Sequence, residues 1–466
     1  MNNSLIVIGA GPGGYVAAVH GARLGLSVTL VEADDRLGGT CLLRGCIPTK
    51  ALLQSARTWE LCRKGARTFG VNVGEVSFDW GRVQQRKTTV VRKGTLGVAS
   101  LMATHGVTVI RGRGRIDGPG RVVVTGDEGE TVLEADKIIV ATGSRAAGIP
   151  GLTVDGLRVL TSDHLLELDH IPESVIVLGA GAVGVEFADV LNAFGADVAL
   201  AEMLPRILPL EDPDCSDVVA KALAKRGIRI HTACRAANIV ADDQGVSLDL
   251  APVDGADAVP LKASCLLVAV GRRPNTTDLG LETTSAVIDR RGFLQVDPFM
   301  ETGEAGLYAI GDVIATPQLA HAASAEARVA AEHAAGHTPR PVDPDLIPGC
   351  TYCSPEVASV GLTAEEAVAR GHAVKTGRYE LAALGKASIL NELHGFVKIV
   401  ADAETGRPLG VHMVGAHATD LIGEACSMLG AEVDLDVWSR AIHPHPTLCE
   451  AIGEAVHALG GGAVHD

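Results

Sequence analysis

One stretch of this chain occurs twice. Residues 4–32 read SLIVIGAGPGGYVAAVHGARLGLSVTLVE, and residues 174–202 read SVIVLGAGAVGVEFADVLNAFGADVALAE. The offset is 170 throughout (174 against 4, 202 against 32), without a gap. Each copy has an apolar strand, a G-x-G-x-x-G turn, a helix-like segment, a turn at Gly25 or Gly195, a second strand and a closing glutamate. A lone G-x-G-x-x-G is weak evidence, since glycines at turns are often only structural. Two copies in one strand–turn–helix context, each with its acid 18 residues after the last glycine (32 − 14 and 202 − 184), constrain the chain to an α/β fold with two nucleotide-binding halves.

The physics of the pattern assigns each position. The first glycine, Gly9 or Gly179, permits the tight exit from the strand. The second, Gly11 or Gly181, lets a pyrophosphate approach the backbone. The third, Gly14 or Gly184, lets helix pack closely on sheet. The pyrophosphate then meets the helix N-terminus, where free N–H groups and the dipole favour negative charge. Glu32 and Glu202 are placed to accept hydrogen bonds from ribose hydroxyls. A carboxylate at Glu202 would repel a 2′-phosphate, which favours NAD over NADP in the second half. KIIVATGSRA (137–146), LLVAVGRRPN (266–275) and GLYAIGDVI (306–314) read as further buried strands that end in glycine. The last delivers Asp312 to the carboxyl end of a parallel strand, where such sheets bind ligands. A turn aspartate is the plainer alternative.

With 466 residues there is room for two to four domains, and the 55 glycines suit tight strand-to-helix turns. The formal net charge of −16 argues against a nucleic-acid or anionic-membrane binder. No run approaches the roughly 18 apolar residues that span a bilayer. MNNSLIVIGAGPGG lacks the basic region and cleavage site of a signal peptide, so a cytoplasmic protein is expected. The ten cysteines are scattered, unlike a secreted disulfide scaffold.

Two of them stand close together in GGTCLLRGCIPTK (38–50), a few residues after the first nucleotide unit. Zinc would need about four ligands, and only the distant Cys350 and Cys353 offer a second pair. Two ordinary buried thiols are another reading. The preferred one is a dithiol/disulfide couple, Cys41 and Cys46, exchanging electrons with a bound cofactor, and no metal is expected.

On that segment the chain resembles the pyridine nucleotide–disulfide oxidoreductases, and within them the members that oxidise dihydrolipoyl groups. The resemblance covers essentially the whole chain. It includes GAGPGG, the two-cysteine motif, VATGS, GAGAVGVE, VAVGRRPN, LYAIGDV and IHPHPTLCEAIGEA (442–455). It implies FAD in the first half, held by Gly9, Gly11, Gly14, Glu32, Thr142, Gly143 and Asp312, with Lys50 near the flavin ring and Glu186 as its ion-pair partner. It implies NAD in the second half, at Gly179, Gly181, Gly184, Glu202 and Gly271. Cys46 would lie against the flavin and Cys41 would meet the substrate. His445 would be the general base and Glu450 its orienting acid, supplied across a homodimer. By spacing alone His443, His445 and Glu450 could form a turn, and the H-P-H-P alternation argues against a helix there. The implied partner is a lipoyl-bearing protein of a 2-oxo acid dehydrogenase or glycine cleavage complex.

Several positions depart from the pattern. Leu42, Leu43 and Arg44 replace the usual triplet between the cysteines, and Thr49 replaces a serine. ALGKASIL (383–390) and YCSPE (352–356) are also unusual. Arg44 would add positive charge near the thiols or be a solvated helix residue. A same-fold reductase of another disulfide, a metal ion or a quinone is the enzymatic alternative. The C-terminal GGGAVHD lacks the vicinal cysteines expected of a mercuric reductase. A non-catalytic redox-sensing or structural flavoprotein subunit is the alternative of another class, against which the set Cys41, Cys46, His445 and Glu450 stands. The expected organisation is two Rossmann-like domains and a C-terminal α+β dimerisation domain. The FAD domain spans 1–150 and 276–345, the NAD domain 151–275, and the interface domain 346–466.

Overall fold

The computed structural model describes residues 3–462, so Met1, Asn2 and the last four residues of GGGAVHD lie outside the described residues. The chain forms two compact units. The first comprises residues 1–51, 82–147 and 271–344, and the second 52–81, 148–270 and 345–466.

The first unit is built on a five-stranded parallel sheet. Its strand order is Leu307–Ala309, Lys137–Val140, Ser4–Ile8, Ser27–Glu32, Thr108–Arg111. The strands are near-continuous runs of Ile, Leu and Val because both faces are buried, as parallel sheets require. Leu5, Val7, Leu30, Ile139 and Val140 have no more than trace exposure and sit in one core with Tyr308. The helix Pro12–Arg23 packs on this sheet with a face of Gly13, Gly14, Ala17, Ala18 and Gly21. Such small side chains let the helix approach closely. Proline opens it at no cost, since its missing N–H would be unpaired in the first turn anyway. Gly25, at φ +87°, turns the chain into the next strand. A three-stranded antiparallel sheet, Arg113–Ile116, Arg121–Gly126 and Gly129–Glu134, completes this unit together with the short pair Ser144–Ala146 and Arg272–Pro274.

The second unit contains the repeated half. Its parallel sheet has the order Arg229–His231, Asp197–Ala201, Ser174–Leu178, Cys265–Val268, Val159–Leu160. The repeat persists in the register: Ser4 pairs with Ser27 and Ile8 with Val31, and 170 residues on Ser174 pairs with Asp197 and Leu178 with Ala201. The same unit carries a five-stranded antiparallel sheet ordered Gly349–Thr351, Glu356–Gly361, Pro408–Gly415, Phe396–Asp402, Val374–Glu380. The helices Ala418–Gly430 and Glu450–Leu459 share a core with it around Trp438, Ile399 and Ile452. The expected α/β fold with a C-terminal α+β portion is therefore the fold observed. Among the described residues no helix is long and apolar enough to cross a membrane.

Candidate active site

The two glycine turns are near copies in atomic detail. Gly9 N–H donates to Val31 O at 2.8 Å, and Gly179 N–H to Ala201 O at 2.8 Å. A Cβ on Gly9 would fall 2.4 Å from Ala141 O, and one on Gly179 2.4 Å from Ala269 O. A Cβ on Gly14 would lie 1.8 Å from Gly9 O, and one on Gly184 1.9 Å from Gly179 O. No side chain caps either helix at Gly11 or Gly181, the condition in which first-turn N–H groups can receive an anion. The closing glutamates repeat as well. Glu32 accepts the Ala10 amide at 2.7 Å and the Asp34 amide at 2.8 Å, while Glu202 accepts those of Ala180 at 2.7 Å and Leu204 at 2.9 Å. Each carboxylate is thereby fixed beside its turn. Burial pushes the Glu32 carboxyl up, with the two amides opposing.

The thiols are attached to the first turn by glycine. Gly38, at φ +126°, donates to Ala10 O at 3.0 Å. Gly39, at φ +57°, sits so near the turn that a Cβ would lie 2.5 Å from Gly11 Cα. The helix Gly39–Arg44 starts from this contact and carries Cys41, and the helix Cys46–Glu60 starts at the second cysteine. Both cysteines are half-buried free thiols. A hydrogen bond to Cys46 pushes the Cys41 thiol well up, and burial adds to it, while Lys50 acts in the opposite sense. The two side chains interact, and Cys46 stands at a helix N-terminus, a position that favours a thiolate. Thr49 is buried and returns its hydroxyl to Gly45 O at 2.7 Å, so the unusual threonine still closes the helix start. Arg44 pairs with Asp34, which engages the charge that its position near the thiols suggested.

Asp312 lies in a short 3-10 turn, Gly311–Val313, just past the strand Leu307–Ala309. Its carboxylate accepts the Ser144 hydroxyl and stands 3.7 Å from Arg272 Nε. Arg272 in turn donates to Ser144 Oγ at 2.6 Å and to Ser144 O at 2.7 Å. Thr142 Oγ1 donates to Asn275 O at 2.8 Å, Asn275 N–H to Gly143 O at 2.9 Å, and Ala147 N–H to Gly271 O at 2.9 Å. VATGS and VGRRPN are therefore one structure in this unit, laced by partners about 130 residues apart in sequence. Ser144, Arg272 and Asn275 were not singled out from the sequence, because no local pattern marks such distant partners.

In the second unit, Glu186 is buried on the helix Ala182–Ala193 and accepts the Tyr352 amide at 2.9 Å. Further along, His445 Nδ1 meets Glu450 Oε1 at 2.9 Å, and the other Glu450 oxygen accepts the Thr447 amide at 2.8 Å. Burial raises the Glu450 carboxyl, but the Thr447 amide and His445 outweigh it and hold it below its ordinary value. His445 is 79 % exposed, with its Nε2 edge turned from the dyad. His443 is 12 % exposed, and its Nε2 meets Glu424 Oε1, which also accepts Trp438 Nε1–H. The structure thus separates the two histidines: one anchors the loop, and the other presents an oriented imidazole. Cys353 is fully buried, and burial pushes its thiol well up. Among the described residues no group of three or more His, Cys, Asp or Glu could hold a metal.

Comparison with known proteins agrees with this geometry. Residues 3–327 match the pyridine nucleotide-disulphide oxidoreductase family, and residues 347–456 match its dimerisation domain. The dihydrolipoyl dehydrogenase of Bacillus subtilis (strain 168) is 44 % identical over 472 residues, covering 99 % of this chain and 98 % of the relative. That of Chlorobaculum tepidum is 45 % identical, covering 96 % and 95 %. Among solved structures, LpdA from Mycobacterium tuberculosis superposes with a TM-score of 0.90 at 29 % identity, covering 98 % and 99 % of the two chains. The Cu(II) complex of the HOCl-induced flavoprotein disulfide reductase RclA from Escherichia coli does so with 0.86 at 26 % identity, covering 97 % and 98 %. With two glycine turns of matching hydrogen bonds and register, a thiol pair resting on the first, and a match to the family's dimerisation domain over residues 347–456, the chain belongs to the pyridine nucleotide-disulphide oxidoreductases.

Proposed function

We propose that the protein oxidises protein-bound dihydrolipoyl groups to lipoyl and reduces NAD⁺ to NADH, using FAD and the Cys41–Cys46 couple. The observation that carries this reading is the pair of half-buried thiols, Cys41 and Cys46, fixed on the first nucleotide turn by the Gly39–Gly11 contact. The residues present fit FAD in the first half. An uncapped amide-lined turn at Gly9, Gly11 and Gly14, which a Cβ would fill, suits a diphosphate. Glu32 suits the adenosine ribose, and Asp312 the ribityl chain, with Thr142 and Gly143 beside it. Gly179, Gly181, Gly184 and Glu202 offer the matching turn and acid to NAD. FAD bound there would supply the two-electron relay between the dithiol and the nicotinamide.

The chain's own residues do the sulfur and proton chemistry. A substrate thiol is mostly protonated near neutral pH, and only its thiolate attacks a disulfide. His445 accepts that proton at Nε2 while Glu450 holds the Nδ1–H and steadies the imidazolium. The thiolate attacks Cys41 of the oxidised couple. The Cys41–Cys46 bond breaks, a mixed disulfide forms, and Cys46 leaves as a thiolate. The second substrate thiol then displaces Cys41 and closes the lipoyl disulfide. The protein is left with a Cys41 thiol beside a Cys46 thiolate, a pairing supported by the interaction between the two side chains. The exposed His445 of one copy serves the thiols of its partner in a homodimer. The natural substrate is the lipoyl-bearing protein of a 2-oxo acid dehydrogenase or glycine cleavage complex.

The test is anaerobic: FAD-loaded protein, dihydrolipoamide and NAD⁺, with NADH followed by absorbance and Cys46→Ser alongside. Rapid NADH formation that falls by about 10³-fold or more in the variant is expected. The likeness to RclA favours a second reading, reduction of another disulfide or acceptor with the same couple. A wild type that is slow with dihydrolipoamide, yet whose flavin is bleached by NADH, would select it.

A further inference from the structure

Two buried polar atoms beside the Gly311–Asp312 turn lack a completed partner: Thr316 Oγ1 and Glu326 Oε1. Neither belongs to the motifs from which the site was read. Glu326 is 0 % exposed, on the face of the helix Ala320–Ala334 that also buries Ala322, Ala323 and Ala327. Its Oε2 accepts the Gly311 amide at 2.7 Å. The turn it holds needs glycine: Gly311 has φ +69°, and a Cβ there would meet Ala323 Cβ at 3.1 Å. The Thr316 hydroxyl lies beside the carboxyl. Among the described residues Glu326 takes part in no ion pair, and the charge it senses is that of the Asp312 carboxylate. An ionised carboxylate with no cation and a like charge nearby is expensive to bury, even with one amide and one hydroxyl beside it. Burial pushes the Glu326 carboxyl up, opposed by Thr316 and Gly311, and Asp312 adds to the push.

We propose that Glu326 is a positioning residue, a neutral carboxylic acid that accepts the Gly311 amide, donates toward Thr316 Oγ1, and so fixes the turn presenting Asp312 to the flavin nucleotide. This rests on the reading of the first half as an FAD site. The Thr316 hydroxyl can serve either form of the acid, donating to a carboxylate or accepting from the acid's O–H, and it is complete burial with no cation that selects the neutral form. Asp312 is then the one acid of the pair that carries charge, available to a ribityl hydroxyl and held by Ser144 and Arg272.

The experiment uses the full chain as wild type, Glu326→Gln and Glu326→Ala, with three readouts. Infrared spectroscopy seeks a deuterium-sensitive carbonyl band of a protonated carboxyl at neutral pH. Flavin fluorescence gives the FAD affinity of the apoprotein, and visible absorption reports the flavin's surroundings. The band is expected in the wild type and lost in Glu326→Gln. The amide mimics the neutral acid, so Glu326→Gln keeps FAD affinity within about twofold, while Glu326→Ala weakens it about tenfold, the size of one buried hydrogen bond, and shifts the flavin bands. Three results each overturn the proposal: no assignable band, a Gln variant that loses FAD as badly as the Ala variant, or an Ala variant that only melts lower with affinity and spectrum intact. Should Glu326→Ala not fold, the band and Glu326→Gln still decide. A wild type that binds no FAD would instead sink the reading of the first half, and the band, which needs no flavin, would separately decide whether Glu326 is neutral.

Discussion

At the scale of single residues, the dyad is the sharpest feature. Glu450 uses both oxygens, one on His445 and one on the Thr447 amide, so its carboxylate cannot swing away from the imidazole. Its carboxyl lies below its ordinary value, and the sign follows. The stabilisation it gives is present above the ordinary carboxyl range and is lost as pH falls through the lowered value, so at neutral pH it is a full negative charge behind the ring. Glu450→Gln keeps the shape and removes the charge. Dithiol oxidation is expected to fall by about 10- to 10²-fold, against about 10²–10⁴ for His445→Ala, and the acidic limb of the pH–rate profile should move to lower pH. Steady-state rates across pH check this. An unmoved limb would show that Glu450 acts on the loop alone. Arg44 and His443 are instructive by contrast. In the sequence each is a charged or chargeable residue next to the chemistry. In three dimensions Asp34 holds the first and Glu424 the second, at separations that no motif encodes.

At the scale of elements, the repeat makes a paired prediction. Gly14 and Gly184 occupy equal positions, and a methyl group at either would overlap a backbone carbonyl oxygen at 1.8 or 1.9 Å. The carbonyl belongs to the turn itself, so relief requires the helix to lift from the sheet. Overpacking of this kind costs about 1–3 kcal/mol or more. Gly14→Ala should lose FAD retention, whereas Gly184→Ala should purify with FAD and show a raised KM for NAD⁺. Flavin content and NAD⁺ titration measure the two, and loss of flavin in Gly184→Ala would contradict the assignment of the halves. These turns were legible because everything that makes them is local: strand, glycine, helix and acid fall within 29 residues, and their register repeats at the same offset. The surroundings of Asp312 were not legible. Ser144 and Arg272 are brought to it by strand pairing between residues 144–146 and 272–274, and Glu326 reaches Gly311 from the helix Ala320–Ala334, which carries none of the motifs. Local periodicity predicts elements, while partners delivered by topology have to be seen.

At the scale of the whole molecule, the match to the family's dimerisation domain makes the homodimer the unit to test. The thiols are half-buried in the first unit, and His445 stands 79 % exposed at the end of the second, beside Ile442 at 96 % exposure. The matched dimerisation domain, residues 347–456, contains both. If each site joins the cysteines of one copy to the histidine of the other, two dead proteins can make a live one. Cys46→Ser and His445→Ala homodimers should each be inactive in dithiol oxidation. Unfolded together and refolded at equal amounts, half the dimers are mixed by chance. Each mixed dimer has one site with both defects and one with neither, so about a quarter of wild-type activity should return, as two-fold symmetry dictates. Co-refolding with separate affinity tags isolates the mixed dimer and measures its rate directly. Activity restored only in that species places His445 across the interface. A mixed dimer as dead as its parents would place the base and the thiols in the same copy, and the exposure of His445 would then need another partner to account for it.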